Sequence, residues 1–90
     1  MADPIRLRSG QLDWRSVEDQ VVVLDSLASV YLGINRTGAT LWKAIAAGDA
    51  TRDSLTELLE DSGAPQEGAR RDVDAFIEAL ADLGLLAEAE

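Results

Sequence analysis

Between residues 30 and 45 the chain changes its hydrophobic period with no linker in between. Val30, Leu32 and Ile34 alternate with Tyr31 and Gly33, the period-2 pattern of a strand with one covered face. Leu41, Trp42 and Ile45 then recur at helical spacing. Asn35 stands at the change, where its side-chain oxygen can accept a free N–H of the first helical turn; Thr37 is a second capping candidate. A strand that runs at once into a helix is held rigidly against the helical layer. This junction frames everything else in the chain.

Upstream, "QLDWRSVEDQVVVLDSLASVYLGIN" is rich in Val, Leu, Trp and Tyr and is broken by polar clusters. It predicts three short antiparallel strands near residues 12–16, 20–25 and 30–34, joined by hairpins. Downstream, Gly48 closes the first helix, and Thr51 opens a second with Asp53 near its N-terminus and Leu55, Leu58 and Leu59 as its apolar stripe. Gly63 ends that helix and Pro65 prevents its simple continuation. A third helix is expected from about 66 to 83, with Ala69, Val73, Phe76, Ile77 and Leu80 inward and Gly84 as its stop. Leu85 and Leu86 are expected to pack, and Glu88 and Glu90 to stay solvated. Residues 1–11 read as an arm whose Ile5, Arg6, Leu7 and Arg8 could dock in extended form, residues 12–87 as one domain, and residues 88–90 as an acidic tail. Strands followed by helices predict an α+β domain with helices on one face of a small antiparallel sheet.

Ninety residues support one small core. The chain has no cysteine and no histidine, which removes disulfides, thiolate nucleophiles, and the commonest general base and metal ligand. The acidic segment "EDSGAPQEGARRDVDAFIE" has neither a calcium-loop pattern nor a paired-acid signature. The expectation is a protein that is not an enzyme and uses no metal or cofactor. With 17 acidic against 8 basic residues, the net charge of −9 opposes binding to nucleic acid and to anionic membranes. No apolar run approaches the ~20 residues that span a bilayer, and the start lacks a signal-peptide core. The expected location is the cytoplasm.

The ordered set of Val21, Val22, Val23, Leu24 and Asp25, a short turn, then Tyr31, Ile34, Asn35, Thr37, Gly38, Ala39, Leu41 and Trp42 resembles the PqqD-like family. The family's last helix and its ending are matched by "DVDAFI" (residues 72–77) and "LGLL" (residues 83–86). Two positions depart from the pattern: Ser29 stands where a hairpin glycine is common, and Ile34 where leucine is usual. The resemblance implies a winged helix-turn-helix-like fold that binds the leader segment of a ribosomally made precursor peptide. The leader would add as a strand beside the third strand and lie in a groove against the third helix, and a separate enzyme would do the chemistry. Lasso-peptide maturation is the favoured pathway, with a leader protease or cyclase as partner, or else a radical enzyme.

Carried onto this chain, the expected peptide-binding residues are Val30, Tyr31, Leu32, Gly33 and Ile34 on the strand, with Arg70, Val73, Asp74 and Ile77 on the helix. An exposed strand edge offers unpaired N–H and C=O groups, so a peptide strand can take them with little demand on sequence. Gly33 either relieves crowding at the junction or lets a peptide backbone come close. Tyr31 reads as an anchor between sheet and helices, with stacking on a peptide as its other role. Trp42 reads as core and Asp25 as the cap of the second hairpin. Thr37 and Gly38 read as helix-start chemistry. The alternative is a winged-helix DNA-binding regulator, whose readers could only be Arg52, Gln66, Arg70 and Arg71 among many carboxylates.

Overall fold

The computed structural model describes residues 4–48 and 50–87. Three strands, β1 (Leu12–Val17), β2 (Gln20–Asp25) and β3 (Val30–Ile34), are followed by α1 (Arg36–Ala47), α2 (Arg52–Asp61) and α3 (Gln66–Asp82). The sheet is antiparallel in the order β1-β2-β3, so β1 and β3 are its edges. The predicted order and types all hold, with β1 one residue longer than expected. The expected acidic tail, with Glu88 and Glu90, lies outside the described residues.

Alternation decides which face is covered. Val21, Val23 and Asp25 of β2 point inward, opposite Trp14 and Leu12 on β1 and Leu32 and Ile34 on β3. Onto this face α1 lays Ala39, Leu41, Trp42 and Ile45, all buried. Trp42 is fully buried and meets Trp14 edge-on, with ring centroids 6.3 Å apart and planes at 76°. Trp14 packs while staying partly exposed. Behind them, Leu55 and Leu59 of α2 and Ala69, Val73, Ile77 and Leu80 of α3 complete one core.

Each helix starts on a local device. Asn35 accepts the Gly38 N–H at 3.1 Å, so the first of the two capping candidates is the cap. Thr51 and Ser54 form a reciprocal capping box, at 3.1 and 2.8 Å. Gly38 also has a packing role that the sequence did not reveal. A Cβ there would lie 2.6 Å from Ile34 Cγ2 and 3.1 Å from Phe76 Cε1, so only glycine lets the start of α1 sit this close to both.

The hairpins differ. The first closes through Glu18 and Asp19, with Glu18 at φ 58°. In the second, Asp25 Oδ1 accepts the N–H groups of Leu27 and Ala28 at 3.1 and 3.3 Å, the expected Asx-type cap. Ser29 takes φ 57°, so serine occupies a left-handed position that glycine fills without strain. Replacing it with glycine (Ser29→Gly) is expected to stabilise the chain by roughly 0.5–1 kcal/mol, the relief of strain being partly offset by the freer unfolded chain. Urea unfolding of the two chains measures the difference.

The arm docks in extended form, as Ile5 to Arg8 suggested. The Ile5 N–H donates to Ala50 O at 2.6 Å, Arg8 N–H to Leu85 O at 2.8 Å, and Ala87 N–H to Arg6 O at 2.8 Å. The arm therefore holds the segment after α3 in place and fixes Leu85, which is buried, against the sheet.

Candidate functional site

Among the described residues no strand pairs with the outer side of β3. Its alternate N–H and C=O groups point away from β2 and are free to bond a further strand. Gly33 in this edge has nothing within 4 Å of where a Cβ would stand. The crowding explanation for Gly33 therefore fails, and an open strand edge remains.

Beside this edge two cavities form a seam, one between β3 and the segment after α3, the other between the start of α1 and the middle of α3. At one end, Val30 and Leu32 share an apolar cavity of about 90 Å³ with Leu83 and Leu85, closed below by Val23 and Ala28. At the other end, Phe76 and Asp72 of α3 face Asn35, Thr37 and Leu41 across a cavity of about 440 Å³. The start of β3 thus lies beside the end of α3, and the end of β3 beside its middle. The two walls are of comparable length: Val30 to Ile34 spans about 13 Å at ~3.3 Å per strand residue, between the ~10 Å from Phe76 to Leu83 and the ~16 Å from Asp72 to Leu83 at ~1.5 Å per helical residue.

The helix wall of this seam is not the one expected. At about 100° per residue, Asp72, Phe76 and Leu83 form a stripe about 60° to one side of the buried stripe of Ala69, Val73 and Leu80. Arg70 and Asp74 lie about 100° to the other side. There they face α2: Arg70 pairs with Asp53 at 2.9 Å and Asp74 with Arg52 at 2.5 Å. Val73 and Ile77 are buried in the core. The structure thus brings Val30 and Leu32 to the seam, buries Ile34 against Gly38 at its Phe76 end, leaves Gly33 on the free edge, and puts none of the four expected helix residues in the lining of either cavity. Tyr31 is 75% exposed on the outer sheet face with Val17, Val22 and Leu24, so it does not anchor the sheet to the helices.

Arg8 also belongs to this region, though no local pattern in the chain assigns it there. Its guanidinium bonds both Asp25 oxygens, at 2.6 and 3.4 Å, and donates to Gly84 O at 3.0 Å and Gln11 O at 3.3 Å. One side chain thereby ties the arm, the second hairpin and the end of α3 together at the Leu83 end of the seam. The basic–apolar alternation of the arm was its only signal, and that pattern names no partner.

The Arg8 hydrogen bond holds the Asp25 carboxyl below its ordinary 3.8; burial opposes this, and the N–H groups of Ala28 and Leu27 assist. A carboxyl lowered by folding contributes stability that is fully present above 3.8 and is lost as pH falls below that value through the folded-state pKa. Replacing Asp25 with asparagine (Asp25→Asn) should therefore weaken the fold at neutral pH, with a deficit that shrinks below pH 3.8. Urea midpoints across that range measure it; a deficit independent of pH would remove the ion pair as its cause. Asp19 is lowered likewise by its hydrogen bond from Arg36, but that pair is exposed and screened, so its share is small.

Among the described residues no group of three or more His, Cys, Asp or Glu side chains could hold a metal ion. No helix among them is long and apolar enough to cross a membrane. Arg52 and Arg70, two of the four candidate DNA readers, are committed to ion pairs.

Compared with known proteins, residues 20–86 match the family model described as coenzyme PQQ synthesis protein D (PqqD). No curated protein matches the sequence. Two solved structures share the fold. TbiB1 in complex with the TbiA(beta) leader peptide superposes with a TM-score of 0.85 at 19% identity, over 94% of this chain and 98% of that one. Lasso peptide synthetase B1 complexed with the leader peptide gives 0.79 at 22% identity, over 96% of this chain and 100% of that one.

Proposed function

We propose a function from the premise that this chain belongs to the PqqD family: it is a non-catalytic adaptor that binds the leader segment of a ribosomal precursor peptide and presents it to a separate modifying enzyme. The observation that carries this reading is the free β3 edge running beside a seam of comparable length. Strand addition on β3 would supply main-chain hydrogen bonds, while alternate leader side chains enter the seam between β3 and α3. That both of these solved structures are complexes with a leader peptide supports the assignment. Lasso-peptide maturation is the pathway this favours, with a leader protease or cyclase as the enzyme and the cytoplasm, where precursors are made, as the place.

Such an adaptor accelerates no bond-making step itself. It raises the effective concentration of the tethered core peptide near the enzyme, by an amount set by the linker between leader and core. A micromolar complex, about −8 kcal/mol, is tight enough for that and still releases product. The proposed contact residues are Val30, Leu32, Gly33 and Ile34 on β3, with Phe76 and Leu83 on the helix side replacing the α2-facing pair Arg70 and Asp74. Tyr31, beside Gly33 on the outer face, is left to touch only what reaches over the edge.

The test is a titration with the synthetic leader of a precursor encoded beside this chain, against the same residues scrambled. Equal affinity for both would sink the reading. A second check uses Gly33. A substitution to threonine (Gly33→Thr) meets no atom within 4 Å and is expected to stabilise the strand by about 0.5–1 kcal/mol. If a leader backbone packs at that edge, the same change lowers leader affinity while raising the urea midpoint. Stability and affinity moving in the same direction would argue that Gly33 has no part in binding.

A further inference from the structure

The two ends of the seam differ in charge. Each cavity is lined by one carboxylate, Asp25 at the Leu83 end and Asp72 at the Phe76 end. Asp25 is buried and neutralised by Arg8. Asp72 is exposed and has no ion pair among the described residues, whereas its neighbour Asp74 is held by Arg52 across the helix pair. The seam is therefore apolar at one end and anionic at the other. Around Asp72 stand the Thr37 hydroxyl and the Asn35 amide, whose oxygen is already used by the Gly38 N–H.

Resting on the leader-binding reading above, we propose that Asp72 is the specificity-determining residue of the seam: it selects a lysine or arginine in the bound peptide, at a fixed spacing from an apolar side chain seated against Leu32, Leu83 and Leu85. The spacing follows from the walls. Leu83 to Asp72 is about 16 Å along α3 at ~1.5 Å per residue, or about five strand residues at ~3.3 Å each. Side chains on one face of a strand recur at even intervals, so the basic residue falls four or six positions from the apolar one. A basic side chain gains the unpaired carboxylate and two neighbouring polar groups, while an acidic one meets like charge on a protein of net charge −9. The asymmetry also fixes which way round the peptide lies, because reversing it would bring the basic residue to the apolar end.

The experiment is a display selection of random 12-residue peptides, about the length that fills the seam with flanks at ~3.3 Å per residue, on three versions of the 90-residue chain. These are the native chain, Asp72→Lys, and Glu78→Lys, which makes the same change of net charge on the solvated side of α3. The native chain and Glu78→Lys should enrich Lys or Arg four or six positions from Leu, Ile, Val or Phe. Asp72→Lys should enrich Asp or Glu there instead, and should bind a native-selected peptide roughly tenfold more weakly. Asp72 is exposed, so circular dichroism should match among the three, and Asp72→Asn, which carries no new charge, should lose the preference without inverting it. Enrichment with no charge preference, or with the same preference on Asp72→Lys, overturns the inference and leaves leader binding standing. Enrichment of no peptide on any of the chains overturns both.

Discussion

A Leu83→Asp chain is expected to fold normally and to bind its leader at least tenfold more weakly. Leu83 is 49% exposed and Val30 44% exposed, so neither is needed to close the core. Both line the apolar end of the seam, where a peptide side chain would bury them. A carboxylate placed there must give up water on binding, and Arg8, which bonds the neighbouring Gly84 carbonyl, is already paired with Asp25. A tenfold loss corresponds to ~1.4 kcal/mol, and a central apolar contact is commonly worth that or more. Val30→Asp should behave alike. Val17→Asp is the control, since Val17 is as exposed (47%) but lies on the outer sheet face. Fluorescence anisotropy with a labelled leader gives the three affinities. Equal losses at Val17 and Leu83 would mean that added charge, not the seam, is what matters.

Trp42→Ala should cost about 3–5 kcal/mol, the range for removing a large buried aromatic. A chain of this length is expected to have only ~5–13 kcal/mol in total, at ~0.05–0.15 kcal/mol per residue, so the variant should be largely unfolded on mild heating. The reason is position: Trp42 is fully buried, meets Trp14 edge-on, and lies at the contact of α1 with β2. Its Nε1–H has no hydrogen-bond partner among the described residues. Trp42→Phe should therefore cost much less than Trp42→Ala, because the smaller ring removes an unpaired donor along with some packing. Thermal unfolding of both variants decides this. Equal losses would show that the indole N–H carries a bond after all.

Element order and boundaries were legible in the sequence because their signals act over a few residues. Asn35 caps α1 through an N–H three residues away, and Thr51 and Ser54 cap α2 over the same distance. Asp25 closes its hairpin through the next two residues but one. Alternation along β3 sorted Val30, Leu32 and Ile34 from Tyr31 and Gly33 correctly. Trp42 and the buried stripe of α3 followed from spacing alone. The edge of β3 followed from the number and order of the strands.

The helix side of the proposed site was not legible, and the reason is geometric. A buried stripe on α3 leaves two flanks, and the sequence marks both: Arg70 and Asp74 on one, Asp72 and Phe76 on the other. Which flank meets β3 depends on the rotation of α3 about its own axis. That rotation is set by partners distant in sequence: the buried Ala69, Val73, Ile77 and Leu80 pack into the common core, and the exposed Arg52–Asp74 and Arg70–Asp53 pairs mark the flank thereby turned to α2. The arm, hydrogen-bonded to Leu85 and anchored by Arg8 on Asp25, holds the segment after α3 beside the start of β3. Gly38 belongs with these. Its capping role was visible locally, but its need to lack a Cβ came from Ile34 and Phe76 closing on it from β3 and α3. Three strands, three helices, their caps and the free strand edge can be read along the chain, since each rests on near neighbours. What stands opposite that edge cannot, because the choice between two flanks of one helix is made by contacts between residues up to 76 positions apart.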